Sequence, residues 1–298
     1  MRILITGGTG LIGQRLCKVL LQAGHEITVL SRQPGTIKEK CGVAVHAFGS
    51  LDDWQSGEVF DAVINLAGEP IVDARWTPKR KELLWQSRVT LTESLLKRID
   101  ACHQKPNVLL SGSAVGYYGD DGNKEMDEAS PAATDFGAAL CVAWEQAAQK
   151  AVAMDVRVCL LRTGLVLDRS GGILGKMLKP FKLGLGARLG DGHQWMSWVH
   201  IDDYVAMVLV LLHSTHASGP FNMTAPEPAT NRTFTEKLAR ALHRPACFIA
   251  PAWILRLVLT ERAYLLLEGQ KVMPVNITRL GYHFLHPKLE DALVDLVG

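Results

Sequence analysis

Several features that mark whole function classes are missing from this sequence. No apolar run approaches the roughly 20 residues that span a bilayer; the longest, Tyr204–Leu212 and Ile249–Leu259, are short or broken by Pro251 and Arg256. Met1-Arg2 leads straight into an apolar strand that Gly7-Gly8 interrupts too early for the core of a secretory signal, so a soluble, cytoplasmic chain is expected. An excess of one charge is also absent. Thirty-two Lys and Arg face 30 Asp and Glu, a net +2, which argues against nucleic acid or an anionic membrane as partner. The six cysteines (Cys17, Cys41, Cys102, Cys141, Cys159, Cys247) form no C-x-x-C pair, so they read as reduced thiols rather than a disulfide or zinc framework. The 10 histidines fall at unrelated spacings, and no metal constellation is expected.

What is present is a chain of 298 residues, 48% of them hydrophobic, enough for a large buried core. Short apolar runs at Arg2–Thr6, Glu26–Ser31, Val43–Phe48, Ala62–Leu66, Asn107–Ser111 and Val156–Arg162 alternate with helical patterns at Leu11–Ala23, Pro78–His103 and Asp135–Met154. That alternation predicts an α/β fold with a doubly wound parallel sheet. Runs of nearly continuous Ile, Leu and Val suit strands covered on both faces. After Arg162 glycine, leucine and proline become frequent. The expected division is a dinucleotide-binding domain over 1–165, with segments near 195–223 returning to it, and a smaller substrate-binding portion over 166–298.

The first strand runs into Gly7-Gly8-Thr9-Gly10-Leu11-Ile12-Gly13 and then a helix. In this G-x-x-G-x-x-G spacing one glycine permits the sharp turn, a second lets backbone approach a pyrophosphate, and Gly13 lets the helix close on the strand. The helix N-terminus then offers its amides and dipole to the phosphates. Strand, turn, amphipathic helix and second strand all follow in order, the context such a motif requires.

The second strand ends in Ser31-Arg32. An NAD-selective site would place Asp or Glu there for the ribose 2′-hydroxyl. A hydroxyl and a guanidinium instead suit a 2′-phosphate through charge-assisted bonds, so NADP(H) is favoured over NAD(H).

Four segments carry a family resemblance: Thr6–Gly13, Asn65-Leu66-Ala67-Gly68, Ser111-Gly112-Ser113-Ala114 with Tyr117-Tyr118-Gly119, and Trp198-Val199-His200-Ile201-Asp202-Asp203. Together they resemble the extended short-chain dehydrogenase/reductase superfamily, within it the NAD-dependent epimerase/dehydratase group and its "epimerase family protein" branch. Pro180–Gly186 and Glu268–Val272 extend the likeness along the chain. It implies a Rossmann-type sheet with a C-terminal substrate portion. It also implies that Leu66, Ala67 and Gly68 line the cofactor, that Arg88 lies on the helix beneath the nicotinamide end, and that the 162–166 loop, Val166 included, touches the carboxamide. Ser113 matches the family's catalytic hydroxyl.

One expected element is missing. The superfamily moves protons with a Tyr-x-x-x-Lys pair on one helical face, where the ammonium lowers the phenol pKa. Four residues after Tyr117, Tyr118, Tyr204, Tyr264 and Tyr282 stand Asp121, Gly122, Val208, Glu268 and His286. Aligned on Glu145, the tyrosine position falls at Gly137 and the lysine position at Cys141. Tyr117 and Tyr118 are the candidate replacement acids, or equally packed aromatics. His193, Gln194 and Trp195 occupy the loop where relatives bind substrate. Asp202 reads as the N-cap of the helix after His200.

These readings predict an oxidoreductase or epimerase-like enzyme that uses NADP(H) on a small polar substrate, its acid/base supplied by unusual residues. A non-enzymatic NADP(H) sensor is the alternative, since the missing pair removes chemistry and not binding. Trp85, Leu91 and Leu95 at helical spacing suit a homodimer or simple core packing.

Overall fold

A computed structural model describes residues 1–298. Seven parallel strands form the central sheet: β1 (Arg2–Thr6), β2 (Glu26–Leu30), β3 (His46–Phe48), β4 (Ala62–Asn65), β5 (Val108–Ala114), β6 (Arg157–Thr163) and β7 (Gly219–Met223). Their spatial order is β7-β6-β5-β4-β1-β2-β3. The chain winds outward from β1 to β3, crosses back to β4, and continues to β7, so the reversal of order lies between β1 and β4. Ligands of open parallel sheets bind in the crevice beyond the carboxyl ends of the strands at such a switch point.

The strands are covered on both faces, as their unbroken apolar character predicts. One face carries a cluster centred on Ile3, Ile5, Val29, Ile64 and Leu161; the other carries Leu4, Val63, Leu109 and Leu160. Helix Leu11–Gln22, which follows β1, and helix Ile201–His213 bury apolar rows against the first face. Helix Leu91–Asp100 and the end of helix Phe136–Gln149 cover the second. A separate apolar cluster joins Leu167, Leu174, Trp198, Phe234 and Leu293, outside the sheet and within the C-terminal region. No helix is long and apolar enough to cross a membrane.

Three boundaries differ from sequence expectation, each for a local reason. β3 begins at His46 rather than Val43, because Gly42 takes φ +119° and the chain turns there, leaving Val43 86% exposed. β5 continues past Ser111 to Ala114, because its last residues find partners on β6: Gly112 beside Leu161, Ser113 beside Arg162, Ala114 beside Thr163. The long helical pattern after Pro78 runs to Asp100, but its middle, Gln86–Thr90, winds as a π-turn, an irregularity frequent at functional sites.

The N-cap after His200 is also corrected. His200 itself is the cap, its Nδ1 accepting from the Asp202 amide at 3.1 Å, while Asp202 pairs with Arg15 at 2.6 Å. His200, His286 and Asp295 stand within 4.8 Å of one another. The two imidazoles lie stacked at 3.9 Å with planes 31° apart, and His200 Nε2 lies 3.3 Å from Asp295 Oδ2.

Candidate cofactor cleft and reaction site

The turn after β1 is built from close backbone approaches. Gly7 adopts φ +73°, and a Cβ there would meet the Leu66 carbonyl at 2.6 Å and the Ala67 nitrogen at 2.8 Å. A Cβ on Gly13 would collide with Gly7 O and Gly8, so the helix can start this close to the strand only with glycine. Gly10 is the N-cap and supplies no side-chain cap. The first-turn amides of Leu11, Ile12 and Gly13 are therefore open to an anion, which the helix dipole also favours. Gln14 Nε2 donates to the Thr9 carbonyl at 2.8 Å and fixes the turn. These residues fit a dinucleotide pyrophosphate.

A polar chain ties this turn to the next strands. Thr6 Oγ1 donates to Asn65 Oδ1 at 2.6 Å and accepts from the Ala67 amide at 3.1 Å. Asn65 Nδ2 donates to Thr92 Oγ1 at 2.8 Å, and that hydroxyl donates to the Arg88 carbonyl at 2.6 Å in the π-turn. The Leu66-Ala67-Gly68 edge is thus held from below. Arg88 packs its guanidinium against Gly68, donates to the Glu69 carbonyl at 2.9 Å and lies 5.4 Å from the Trp144 ring. Burial lowers its pKa from the ordinary value.

At the end of β2, Ser31 Oγ accepts from the Gln33 amide at 3.1 Å. Arg32 is exposed and donates to Glu69 Oε1 at 2.7 Å; Arg80 holds the other carboxylate oxygen at 3.2 Å. The hydrogen bond from Arg32 keeps the Glu69 pKa below the ordinary carboxylate value. The ion pair joins the loops after β2 and β4. Val166 lies on strand Leu165–Asp168, which pairs with Trp198–His200.

The end of β5 holds a buried network. Ser113 Oγ donates to Glu145 Oε1 at 2.6 Å; Arg162 clasps Glu145 through both carboxylate oxygens, at 2.8 and 2.9 Å. Arg162 Nη1 donates to the Tyr118 hydroxyl at 2.8 Å, and Tyr118 donates to Asn222 Oδ1 at 2.7 Å. Ser113, Tyr118, Glu145 and Arg162 are all buried. Burial pushes the Tyr118 phenol up to about 12, against the pull of Arg162. The Ser113 proton points at a carboxylate, so this hydroxyl is placed to accept a hydrogen bond and not to give one.

Tyr117 stacks its ring on the Arg162 guanidinium at 3.6 Å and lines a groove with Val142, Glu145, Gln146, Arg162 and Pro220. Val142 and Gln146 lie on a different helix face from Gly137, Cys141 and Trp144. Cys141 is buried, and burial followed by Glu145 raises its thiol to about 12, so it remains a neutral thiol. His193 is exposed on a turn where its amide donates to Asp191 at 3.0 Å. Gln194 donates to the carbonyls of Leu189 at 3.1 Å and Leu266 at 2.8 Å. Trp195 donates to Asn123 at 2.9 Å beneath the Lys271 ammonium.

The sequence gives no sign of a site role for Thr6, Asn65, Thr92, Glu69, Glu145, Asn222 or Tyr264. A pairing of Glu145 with Arg162 had no local signal, since strand and helix meet only in the folded sheet. Tyr264 has Glu268 and not lysine four places on, and its approach to Gly137 leaves no mark in the sequence.

Comparisons with known proteins bear on the family and the fold. The model for the NAD-dependent epimerase/dehydratase family matches residues 3–224, and a domain of unknown function matches 250–296. An epimerase family protein of Staphylococcus aureus is 37% identical over 297 residues, 99% of this chain and 98% of its own length. One from Staphylococcus epidermidis is 38% identical over 300 residues, 99% of each. Among solved structures, the human epimerase family protein SDR39U1 with NADPH is 36% identical, with a TM-score of 0.90 over 100% of this chain and 99% of its own. A nucleoside-diphosphate sugar epimerase of Corynebacterium glutamicum is 29% identical at a TM-score of 0.79; the match covers 100% of this chain and 58% of that one.

Proposed function

Because the chain belongs to the NAD-dependent epimerase/dehydratase family, we propose that it is an NADP(H)-dependent oxidoreductase or epimerase-like enzyme acting on a small polar substrate. The observation that carries this reading is the glycine turn, open at its helix N-terminus and closed by Gly7 against Leu66 and Ala67. Ser31 and Arg32 at the end of β2 favour the 2′-phosphate form, and the human relative was crystallised with NADPH.

Reduced nicotinamide, when bound, supplies a hydride. The protein's own residues hold and shape the site. Gly7, Thr9, Gly10, Leu11, Ile12 and Gly13 receive the pyrophosphate; Leu66, Ala67 and Gly68 form the adjacent wall, with Arg88 fixed behind them. Ser113 accepts a hydrogen bond from a substrate hydroxyl. Val166 belongs with the cofactor, at the carboxamide end, and the His193–Trp195 loop belongs to the substrate side, within a C-terminal portion over 166–298. The setting is cytoplasmic, in keeping with six free cysteines, five of them buried. The helix over Pro78–Asp100 is the candidate contact for a homodimer, with Trp85 37% exposed on it.

NADPH-consuming turnover against a panel of aldehydes, ketones and nucleotide sugars tests the reading. Silence across the panel, with NADPH demonstrably bound, would leave a cofactor-binding protein without hydride chemistry.

A further inference from the structure

The buried network at the end of β5 leaves the site without an obvious proton donor. Ser113 gives its proton to Glu145 at 2.6 Å, and Tyr118 gives its own to Asn222 at 2.7 Å. A third hydroxyl reaches the same helix from far along the chain. The phenol oxygen of Tyr264 lies 2.5 Å from the point a Cβ on Gly137 would occupy, and Asp135 Oδ1 lies 3.0 Å from that point. Any side chain at position 137 would expel it. No hydrogen bond holds the hydroxyl, and the residue is half-buried.

The segment carrying Tyr264 is fastened at several points. The ring meets Trp76 edge-on at 5.5 Å. Glu261 pairs with Lys81 at 2.9 Å, and Arg262 donates to the Val72 carbonyl at 2.7 Å. Gln194 donates to the Leu266 carbonyl. The titratable groups around the phenol are Asp135, Cys141 and Glu268, and the Lys81 ammonium lies 5.0 Å from the neighbouring Phe136 ring. Burial, then Asp135, Cys141 and Glu268, raise the phenol pKa and keep its proton on. Tyr264 packs in one apolar cluster with Val89 and Trp144, and Trp144 faces Arg88 at 5.4 Å and donates to Thr92 Oγ1 at 3.0 Å, so the phenol stands on the cleft side of that helix.

We propose that the Tyr264 hydroxyl is the proton donor to the substrate oxygen, reaching the site through the space that Gly137 leaves open. The proposal rests on the reading of the cleft as a place of hydride transfer. In the reductive direction the carbonyl carbon takes the hydride from the reduced nicotinamide. The Tyr264 O–H bond breaks as an O–H bond forms on the carbonyl oxygen, and the phenolate regains its proton from water.

Tyr264→Phe keeps the ring and removes only the hydroxyl. The chain has five tyrosines, so labelling each at ¹³Cζ gives a short NMR spectrum in which this variant identifies the Tyr264 signal. NADP⁺, with its cationic nicotinamide, should move that signal; 2′,5′-ADP, which lacks the nicotinamide, should leave it in place. An equal shift with both, or none with either, would overturn the placement. With a turned-over carbonyl substrate, Tyr264→Phe should lower kcat by about 10²- to 10⁴-fold while NADPH affinity stays unchanged. A kcat loss under about tenfold would overturn the donor role. A wild-type protein that shows the NADP⁺-specific shift but reduces nothing would instead sink the hydride-transfer reading and leave the placement of Tyr264 standing.

Discussion

The turn after β1 and the network at the end of β5 are made of different material. The turn is backbone: Gly7, Gly10 and Gly13 place amides, and three consecutive structural elements suffice to build it. The network is side chains, brought together from β5, β6, the helix over Phe136–Gln149 and the segment at Tyr264. The first can persist while sequence elsewhere drifts, because it asks only that small residues keep their spacing. The second depends on residues from several distant segments, so the proposed role of Tyr264 replaces a missing residue from another part of the chain. Binding and chemistry are thus separable in this fold.

Substitutions can break that comparison at either end. The largest effect is expected at the network. Arg162→Met leaves Glu145 buried without its partner, a change that costs about 3–5 kcal/mol; chemical denaturation measures it. If the network and the turn are independent, the surviving folded protein still binds NADPH. Next comes the turn. Gly13→Ala drives a methyl into Gly7 and Gly8, an overpacking worth about 1–3 kcal/mol, and NADPH binding should fall with it. A smaller effect follows from Glu69→Gln, which releases Arg32 from its ion pair. Exposed pairs contribute about 0.2–1 kcal/mol, so NADPH should bind up to about fivefold more tightly, read by titration. The smallest is a pH effect. Arg32 holds the Glu69 pKa below its ordinary 4.5, so the stability this pair supplies is present above that value and is lost as pH falls through the folded-state pKa. The acid limb of a pH–stability curve should therefore be slightly steeper in wild type than in Arg32→Ala.

Much of the fold was legible because its signals are local. Strands β1, β2 and β4 are apolar runs bounded by glycine or polar residues, and the glycine spacing after β1 dictates both turn and helix start. What was hidden depends on contacts between distant segments. Ser113 sits in β5 rather than beyond it because β6 extends the ladder, and its proton is claimed by Glu145, a residue that sequence shows only as one more acid on a helix. The space above Gly137 is invisible until Tyr264 is seen to fill it. Tyr118 reads from sequence as either an acid or a packed aromatic; burial against Arg162 and Asn222 ties its hydroxyl down.

The proposed preference for NADP(H) depends most directly on the pairing of the glycine turn with Ser31 and Arg32. Nicotinamide fluorescence titration of the wild-type protein with NADPH and NADH, repeated on Arg32→Ala, measures it. One charge-assisted contact to the 2′-phosphate is worth about 1.5–3 kcal/mol, so NADPH should bind at least about tenfold more tightly than NADH, and the preference should vanish without Arg32. Equal affinities in the wild type, or a preference that survives the loss of Arg32, would contradict it.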